Sequence, residues 1–256
     1  MKKRLFAMVM SLLMIVSVAS VSAYAAETKD FPVPLEEKGV MTNRNIGVVP
    51  SAPYGIQSAR PEVIEQWRAT NNEAELASAL EDEAATLAAA TWVEIDNFYY
   101  YGQEKSTSCG PASVKMALKG LTGITYSEST IRTGCQWSSS TGATLENCTT
   151  YLNSEQSIYD YDDKYSVLKS LFNSNMYNAV SDGAPPIVGI VTTTEDGWFY
   201  NTSGHALAIY AILSDKSQYA LADPWGGYAD NDDWKWYTKT DDDLFDAYDW
   251  NKGYIA

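Results

Sequence analysis

The sequence QEKSTSCGPAS, residues 103–113, joins a polar loop to the start of a predicted helix at Cys109. Ser108 is of a residue type preferred at helix N-caps, so we expect it to cap this helix. We expect the helix to end at Gly120 or Gly123, because glycine commonly ends helices. Its apolar stripe has helical spacing and consists of Val114, Ala117, Leu118 and Leu121.

A cysteine in the first turn of a helix favours nucleophilic chemistry. Unpaired backbone N–H groups and the positive end of the helix dipole stabilise a thiolate, which is the attacking form. The N–H of Cys109 is also free to point at the oxygen of an attacked carbonyl, as half of an oxyanion hole. Gln103 can supply the second donor, which in such holes lowers the barrier by about 3 kcal/mol. A solvated loop glutamine is the alternative interpretation.

His205 is the single histidine of the chain, in the sequence GHALAIYAI of residues 204–212, which predicts a buried strand. It is the one side chain here that can shuttle a proton near neutral pH without a large pKa shift. A histidine packed into the core is the alternative, and in an average protein the more frequent one. Gly204 favours function, because it lets a substrate or another backbone approach closely.

Asp223 is the candidate partner of this histidine. The strand candidates 206–213 and 218–222 are separated by four residues and predict a hairpin, which places His205 and Asp223 at the same end. A carboxylate there would fix the imidazole tautomer and stabilise the imidazolium. The alternative is an Asp-Pro turn that caps the strand. A cysteine followed along the chain by a histidine is the order found in thiol hydrolases.

Three cysteines occur in the sequence: Cys109, Cys135 and Cys148. In an oxidising compartment Cys135 and Cys148 would close a short loop worth roughly 3 kcal/mol in the chain-entropy model, leaving Cys109 as the lone thiol. Alternatively Cys148 is a small apolar residue, since it shares a helical face with Leu145 and Leu152. The sequence leaves both interpretations open.

The start of the chain predicts export. Three basic residues precede the apolar stretch 5–21 and an A-x-A site for cleavage after Ala25, which is typical of a secretory signal peptide over residues 1–25. An uncleaved anchor is the alternative, although the run is at the short end of the roughly 17 to 25 residues that a spanning helix needs. Residues 26–90, with a predicted helix over 61–90, are either a pro-region or a decoration of the mature domain.

Charge and composition exclude several partners. Removal of residues 1–25 changes the formal net charge from −15 to −18, because that segment has three basic and no acidic residues. Such a surface repels phosphate backbones and anionic lipid, so we expect no nucleic acid and no membrane partner. One histidine and scattered cysteines do not suit zinc, and we expect no metal and no cofactor. The expected protein is a secreted or cell-surface monomer that acts on a polypeptide.

Helices precede strands over residues 91–256, which predicts an α+β domain. We expect a first strand over 92–95, further helices over 144–153 and 165–180, and a strand over 187–191. A helical half that carries Cys109 would then pack on an antiparallel sheet that carries His205 and Asp223.

The motifs taken together resemble a known family. Gln103, CGPAS from Cys109, the pair Gly204-His205 and DPWGG from Asp223 are similar to papain-like cysteine peptidases, in the branch of double-glycine leader peptidases, over about residues 92–230. The resemblance implies a papain-like fold, with Cys109 as nucleophile, His205 as base and acid, Asp223 as the orienting residue and Gln103 as oxyanion donor. The motif lacks the Cys-Trp ending of plant and lysosomal papains, so their substrate preferences are not implied.

The sequence therefore predicts a secreted cysteine peptidase that cleaves a peptide or amide bond through a Cys-His-Asp triad and a thioester. Two alternatives remain. One is a cell-wall amidase or acyltransferase with the same triad, and the other is a papain-like binding module with an idle site.

Overall fold

The computed structural model describes residues 31–32, 34–36, 55–56, 62, 90–165, 168–249 and 252–256. The predicted signal peptide lies outside these residues. So does the predicted helix over 61–90, apart from Glu62, which is helical and exposed, and Ala90. In the part of the chain that the structure describes, no helix is long and apolar enough to cross a membrane.

Helices dominate the first half of the described domain, which contains α1 (Cys109–Thr122), α2 (Glu128–Gly134) and α3 (Leu145–Glu155). Three more helices follow: α4 (Lys169–Ser181), α5 (Pro224–Tyr228) and α6 (Asp241–Ala247). The predicted helix at Cys109 is confirmed, and it ends at Gly123 in the left-handed region, with φ of 69°. The predicted helices over 144–153 and 165–180 correspond to α3 and α4. Helix α2 was not predicted, because its seven residues show no apolar stripe.

Strands form most of the second half. Seven of them build one sheet in which every pair is antiparallel, with the order β4-β9-β5-β6-β7-β8 and with β2 paired to β6. The remaining two, β1 and β3, pair in parallel. The strands are β1 (Leu35–Glu36), β2 (Trp92–Glu94), β3 (Tyr99–Tyr100), β4 (Asp163–Lys164), β5 (Ile187–Thr192), β6 (Thr202–Leu213), β7 (Gln218–Ala222), β8 (Trp236–Thr240) and β9 (Tyr254–Ile255).

The predicted hairpin is confirmed as β6 and β7. Ala208 lies opposite Ala222, so Asp223 follows the end of β7 close to the start of β6, where His205 lies. Strand β6 begins at Thr202, four residues earlier than predicted, and His205 is therefore inside the strand, opposite Ile190 of β5. The architecture is the predicted one, helices against an antiparallel sheet.

The main apolar core lies between α1 and the centre of the sheet. The Ser113 hydroxyl of α1 donates to the Ala206 carbonyl of β6 across 3.4 Å, which marks how closely the two elements pack. All three cysteines are fully buried and are free thiols. Cys148 packs in one cluster with Leu145 and Leu152, as the apolar-face interpretation describes, and it is hydrogen bonded to Cys135.

Candidate active site

His205 and Asp223 are in direct contact. The His205 Nε2 lies 2.7 Å from Asp223 Oδ1, and both side chains are almost completely removed from solvent. The hairpin register produces this pairing, because β6 presents the ring and the end of β7 presents the carboxylate. The sequence-predicted pair is thus brought together.

The Asp223 carboxylate is fully buried, and four donors compensate for its lost hydration. Oδ1 accepts from His205 and from the Trp225 backbone N–H at 2.9 Å. Oδ2 accepts from the Tyr237 hydroxyl at 2.8 Å and from the Tyr200 hydroxyl. A buried carboxylate without hydrogen-bond partners would strongly destabilise the fold, so these four donors stabilise a negative charge at this position.

Asp223 is also the N-cap of α5, whose first residue is Pro224. The Asp-Pro turn considered as an alternative to a functional role is therefore present, and the oxygen that caps the turn, Oδ1, is the one that contacts the His205 ring. The Asp223 carbonyl accepts from Tyr100, whose hydroxyl in turn accepts from the Gly227 N–H at 2.7 Å. These hydrogen bonds attach the Asp-Pro turn to β3 and hold the Asp223 side chain in one orientation.

Cys109 is the first residue of α1 and is fully buried. The backbone N–H of Ala206 donates to its sulfur across 3.3 Å, and a side-chain hydrogen bond connects the sulfur with His205. Because Nε2 of the ring is engaged by Asp223, Nδ1 is the nitrogen left to exchange a proton with the sulfur. The order along the site is sulfur, imidazole, carboxylate.

The charge state of His205 follows from its neighbours. Burial by itself lowers the pKa of the ring, but the charges and hydrogen bonds of Asp223 and Cys109 outweigh it and raise the pKa from 6.5 to about 10. The ring is consequently protonated at neutral pH. An imidazolium is thereby placed beside the Cys109 sulfur, at the first residue of α1.

Gln103 lies in the loop before α1 and is almost fully buried. Its Nε2 donates to the Lys105 carbonyl at 2.7 Å, and its backbone N–H donates to the Pro224 carbonyl at 3.0 Å, next to Asp223. The amide carries two N–H groups, so one remains for another acceptor. The solvated-loop interpretation of Gln103 is wrong, since the side chain is only 1% exposed.

Ser108 occupies the N-cap position, but the expected side-chain cap is absent, and that expectation was wrong. Its hydroxyl is used elsewhere: it accepts from the Lys105 N–H at 3.0 Å and contacts both the Lys105 carbonyl and Glu128. The competing partners hold the loop that carries Gln103 instead of the first turn of the helix.

Glu128, which the sequence did not single out, is fully buried beneath this loop. Its carboxyl group lies 2.5 Å from the Ser108 hydroxyl and accepts from the Glu104 N–H. Burial raises its pKa from 4.5 to about 7, against the lowering effect of these hydrogen bonds. A protonated carboxyl also provides a hydrogen for each contact, because Glu128 can then donate to the Ser108 hydroxyl while that hydroxyl donates to the Lys105 carbonyl.

The sequence also missed Tyr200 and Tyr237, the donors to Asp223. Neither belongs to a motif or a periodic pattern, and a tyrosine near a tryptophan usually indicates packing. No clusters of three histidine, cysteine or acidic side chains suited to a metal ion occur among the residues that the structure describes.

Comparison with known proteins identifies the family. The model of the Peptidase_C39 like family matches residues 95–252, more than half of the chain. The chain belongs to this peptidase family. It is accordingly a cysteine-type peptidase with a papain-like fold, as the sequence motifs indicated. The match begins after residues 26–90 and includes all four predicted site residues.

Among solved structures, this peptidase is similar to the peptidase domain of Streptococcus ComA, described as a bi-functional ABC transporter involved in a quorum sensing pathway. The two share 14% sequence identity with a TM-score of 0.44, over 62% of this chain and 96% of that domain. No curated protein matches the chain.

Proposed function

We propose that the protein is a secreted peptidase in which Cys109, His205 and Asp223 act as a catalytic triad on a polypeptide substrate. The observation that carries the proposal is the 2.7 Å contact of His205 Nε2 with a fully buried carboxylate, while the same ring is hydrogen bonded to the Cys109 sulfur. Asp223 is the orienting residue in this assignment, because it contacts the ring and not the reacting sulfur.

The chemistry proceeds in two halves. The Cys109 thiolate attacks the peptide carbonyl and forms a carbon–sulfur bond, and the His205 imidazolium gives its proton to the amine as the carbon–nitrogen bond breaks. Water then attacks the thioester while His205 takes a proton from it, which releases the acid and the thiolate. The Cys109 N–H and the free N–H of Gln103 would hold the oxyanion in both halves.

The domain organisation is part of the proposal. Residues 1–25 would be the export signal, 26–90 the N-terminal extension and 91–256 the peptidase domain, in keeping with a family match that starts at residue 95. The proposed location is outside the cell or at its surface.

Cleavage of a peptide library by the wild type and by Cys109→Ala tests the proposal. We expect cleavage by the wild type and a loss of at least roughly a thousandfold in Cys109→Ala and in His205→Ala, as for other triads. Cys135→Ala is the matched control, because this buried cysteine is hydrogen bonded to Cys148, and the variant should keep its activity. Cleavage that persists in Cys109→Ala would overturn the assignment, and release of peptide–amine adducts instead of free acids would indicate acyl transfer.

A further inference from the structure

Two residues of the N-terminal extension lie where the two halves of the domain meet. The Gly55 N–H donates to the Gly204 carbonyl at 2.7 Å, and Ile56 pairs with Ala143 in a parallel bridge. Gly204 directly precedes His205 on the sheet half, whereas Ala143 lies just before α3 on the helical half. The segment 55–56 therefore spans the line between the halves and contacts both.

Glycines on both sides make room for this segment. A β-carbon at Gly142 would lie 1.9 Å from the Gly55 carbonyl oxygen, and one at Gly204 would lie 2.8 Å from the Ile56 carbonyl oxygen. Real β-carbons do not approach backbone that closely, so a side chain at either position would displace the segment. We call the space between Gly142–Ala143 and Gly204 the cleft. Its walls are shaped to accept a peptide backbone.

The cleft is connected to the candidate nucleophile. Ile56 is fully buried in the same apolar cluster as Cys109 and Ala206. The helical wall is fixed two residues before Cys109, because the Thr107 carbonyl accepts from Trp137 Nε1 at 2.8 Å. Cys109 itself has no solvent exposure. An external substrate can reach a sulfur in that condition only after a part of the protein that covers the sulfur has moved.

We propose that Gly55–Ile56 occupies the substrate cleft as an intramolecular ligand, so that the full chain partly inhibits itself and the cleft accepts peptides with a branched aliphatic side chain in the position of Ile56. This inference rests on the proposed function of the same site. Backbone hydrogen bonds and one buried side chain are the usual means by which an extended peptide is held beside a sheet. The covalent connection supplies a high effective concentration, so a short segment suffices.

The test measures how fast iodoacetamide alkylates Cys109 in the full chain, resolved by peptide mass spectrometry. Ile56→Asp places a charge in the buried seat, which expels the segment, and we expect alkylation to be at least about tenfold faster than in the wild type. Leu35→Ala is the matched control. It alters a different contact of the extension with the domain, the pairing of β1 with β3, and should change the rate by less than about twofold.

Circular dichroism establishes that the variants are folded. Ile56→Ala serves as a second, milder variant, with an expected rate between those of the wild type and Ile56→Asp. An alkylation rate that is unchanged in both folded variants would overturn the proposal. So would an equal acceleration in Leu35→Ala, because the effect would then come from general loosening of the extension and not from the cleft.

A peptide tests the selectivity. Acetyl-Tyr-Gly-Ile-Gln-amide, the sequence of residues 54–57, should slow the alkylation of Cys109 in Ile56→Asp at millimolar concentration, and the same peptide with aspartate in place of isoleucine should not. Equal protection by both peptides would refute the aliphatic preference. These rates do not depend on turnover. Faster alkylation in Ile56→Asp with no peptide hydrolysis by that variant would therefore refute the proposed function alone, whereas hydrolysis by the wild type with an unaltered alkylation rate in Ile56→Asp would refute the inhibition alone.

Discussion

Removal of one hydroxyl, in Tyr237→Phe, tests whether the buried Asp223 depends on its tyrosine donors. The Tyr237 hydroxyl lies 2.8 Å from Asp223 Oδ2, and the carboxylate has no exposed surface through which water could replace it. A hydrogen bond to a charged group contributes about 1.5 to 3 kcal/mol. We therefore expect the free energy of unfolding to fall by about 2 kcal/mol, and by roughly 4 kcal/mol or more when Tyr200→Phe is added, since Oδ2 then loses both tyrosines.

Urea denaturation followed by circular dichroism measures this difference. The matched control is Tyr219→Phe, because Tyr219 is also buried but donates to a neutral acceptor, Asn173 Oδ1, at 2.8 Å. A neutral hydrogen bond contributes about 0.5 to 1.5 kcal/mol, so the control should lose less.

The charge of the acceptor can be tested in the same system. When Asp223 is replaced by Asn, the acceptor becomes neutral, and Tyr237→Phe in that background should cost only about 1 kcal/mol. If Tyr237→Phe costs no more than Tyr219→Phe, or the same in Asp223→Asn as in the wild type, the reasoning about a charge held by tyrosine donors is refuted.

Three further outcomes are expected. The raised pKa of His205 predicts that activity falls as the pH rises through about 10, which a pH–rate profile would show. The protonated ring also stabilises the fold. This contribution is complete below pH 6.5 and is lost as the pH rises through about 10, which denaturation at a series of pH values would show. A fall in activity centred near 6.5 would contradict this. The raised pKa of Glu128 has the opposite meaning for a carboxyl: the wild type should lose up to roughly 3 kcal/mol between pH 4.5 and 8, and Glu128→Gln should lack that loss in urea denaturation at both pH values. An equal change in the free energy of unfolding between pH 4.5 and 8 in the wild type and in Glu128→Gln would refute this prediction. Gly142→Ala should speed alkylation of the nucleophile, because its β-carbon overlaps the Gly55 carbonyl, whereas Gly123→Ala, also at positive φ but in open space, should not; equal rates would contradict the overlap.

Local patterns explain what could be predicted of the fold. Helix α1 follows from an apolar stripe and a terminal glycine, and the hairpin of β6 and β7 follows from two apolar runs with a short polar turn. Both patterns consist of residues close together in the sequence, so they can be recognised without knowledge of how the rest of the chain folds. The short elements α2 and β9 have no such signal, since a two-residue strand exists only through its partners.

The pairing of His205 with Asp223 could be predicted for the same reason, because hairpin register converts a sequence separation into a spatial one. The contacts of Tyr200, Tyr237 and Glu128 could not be predicted from the sequence. Each of these side chains finds its partner in a different element, and no periodicity relates a donor in a loop to an acceptor at the end of a strand.

The amino-acid sequence alone determined the chemistry at hand: one thiol at a helix start, one imidazole, and a carboxylate within hairpin reach. Tertiary structure decided how deeply these groups are buried, which donors support the carboxylate, and that Gly55–Ile56 lies against the site. The physical reason is that residue types and local periods are properties of short stretches, whereas desolvation and the meeting of segments about 150 residues apart depend on how the whole chain packs.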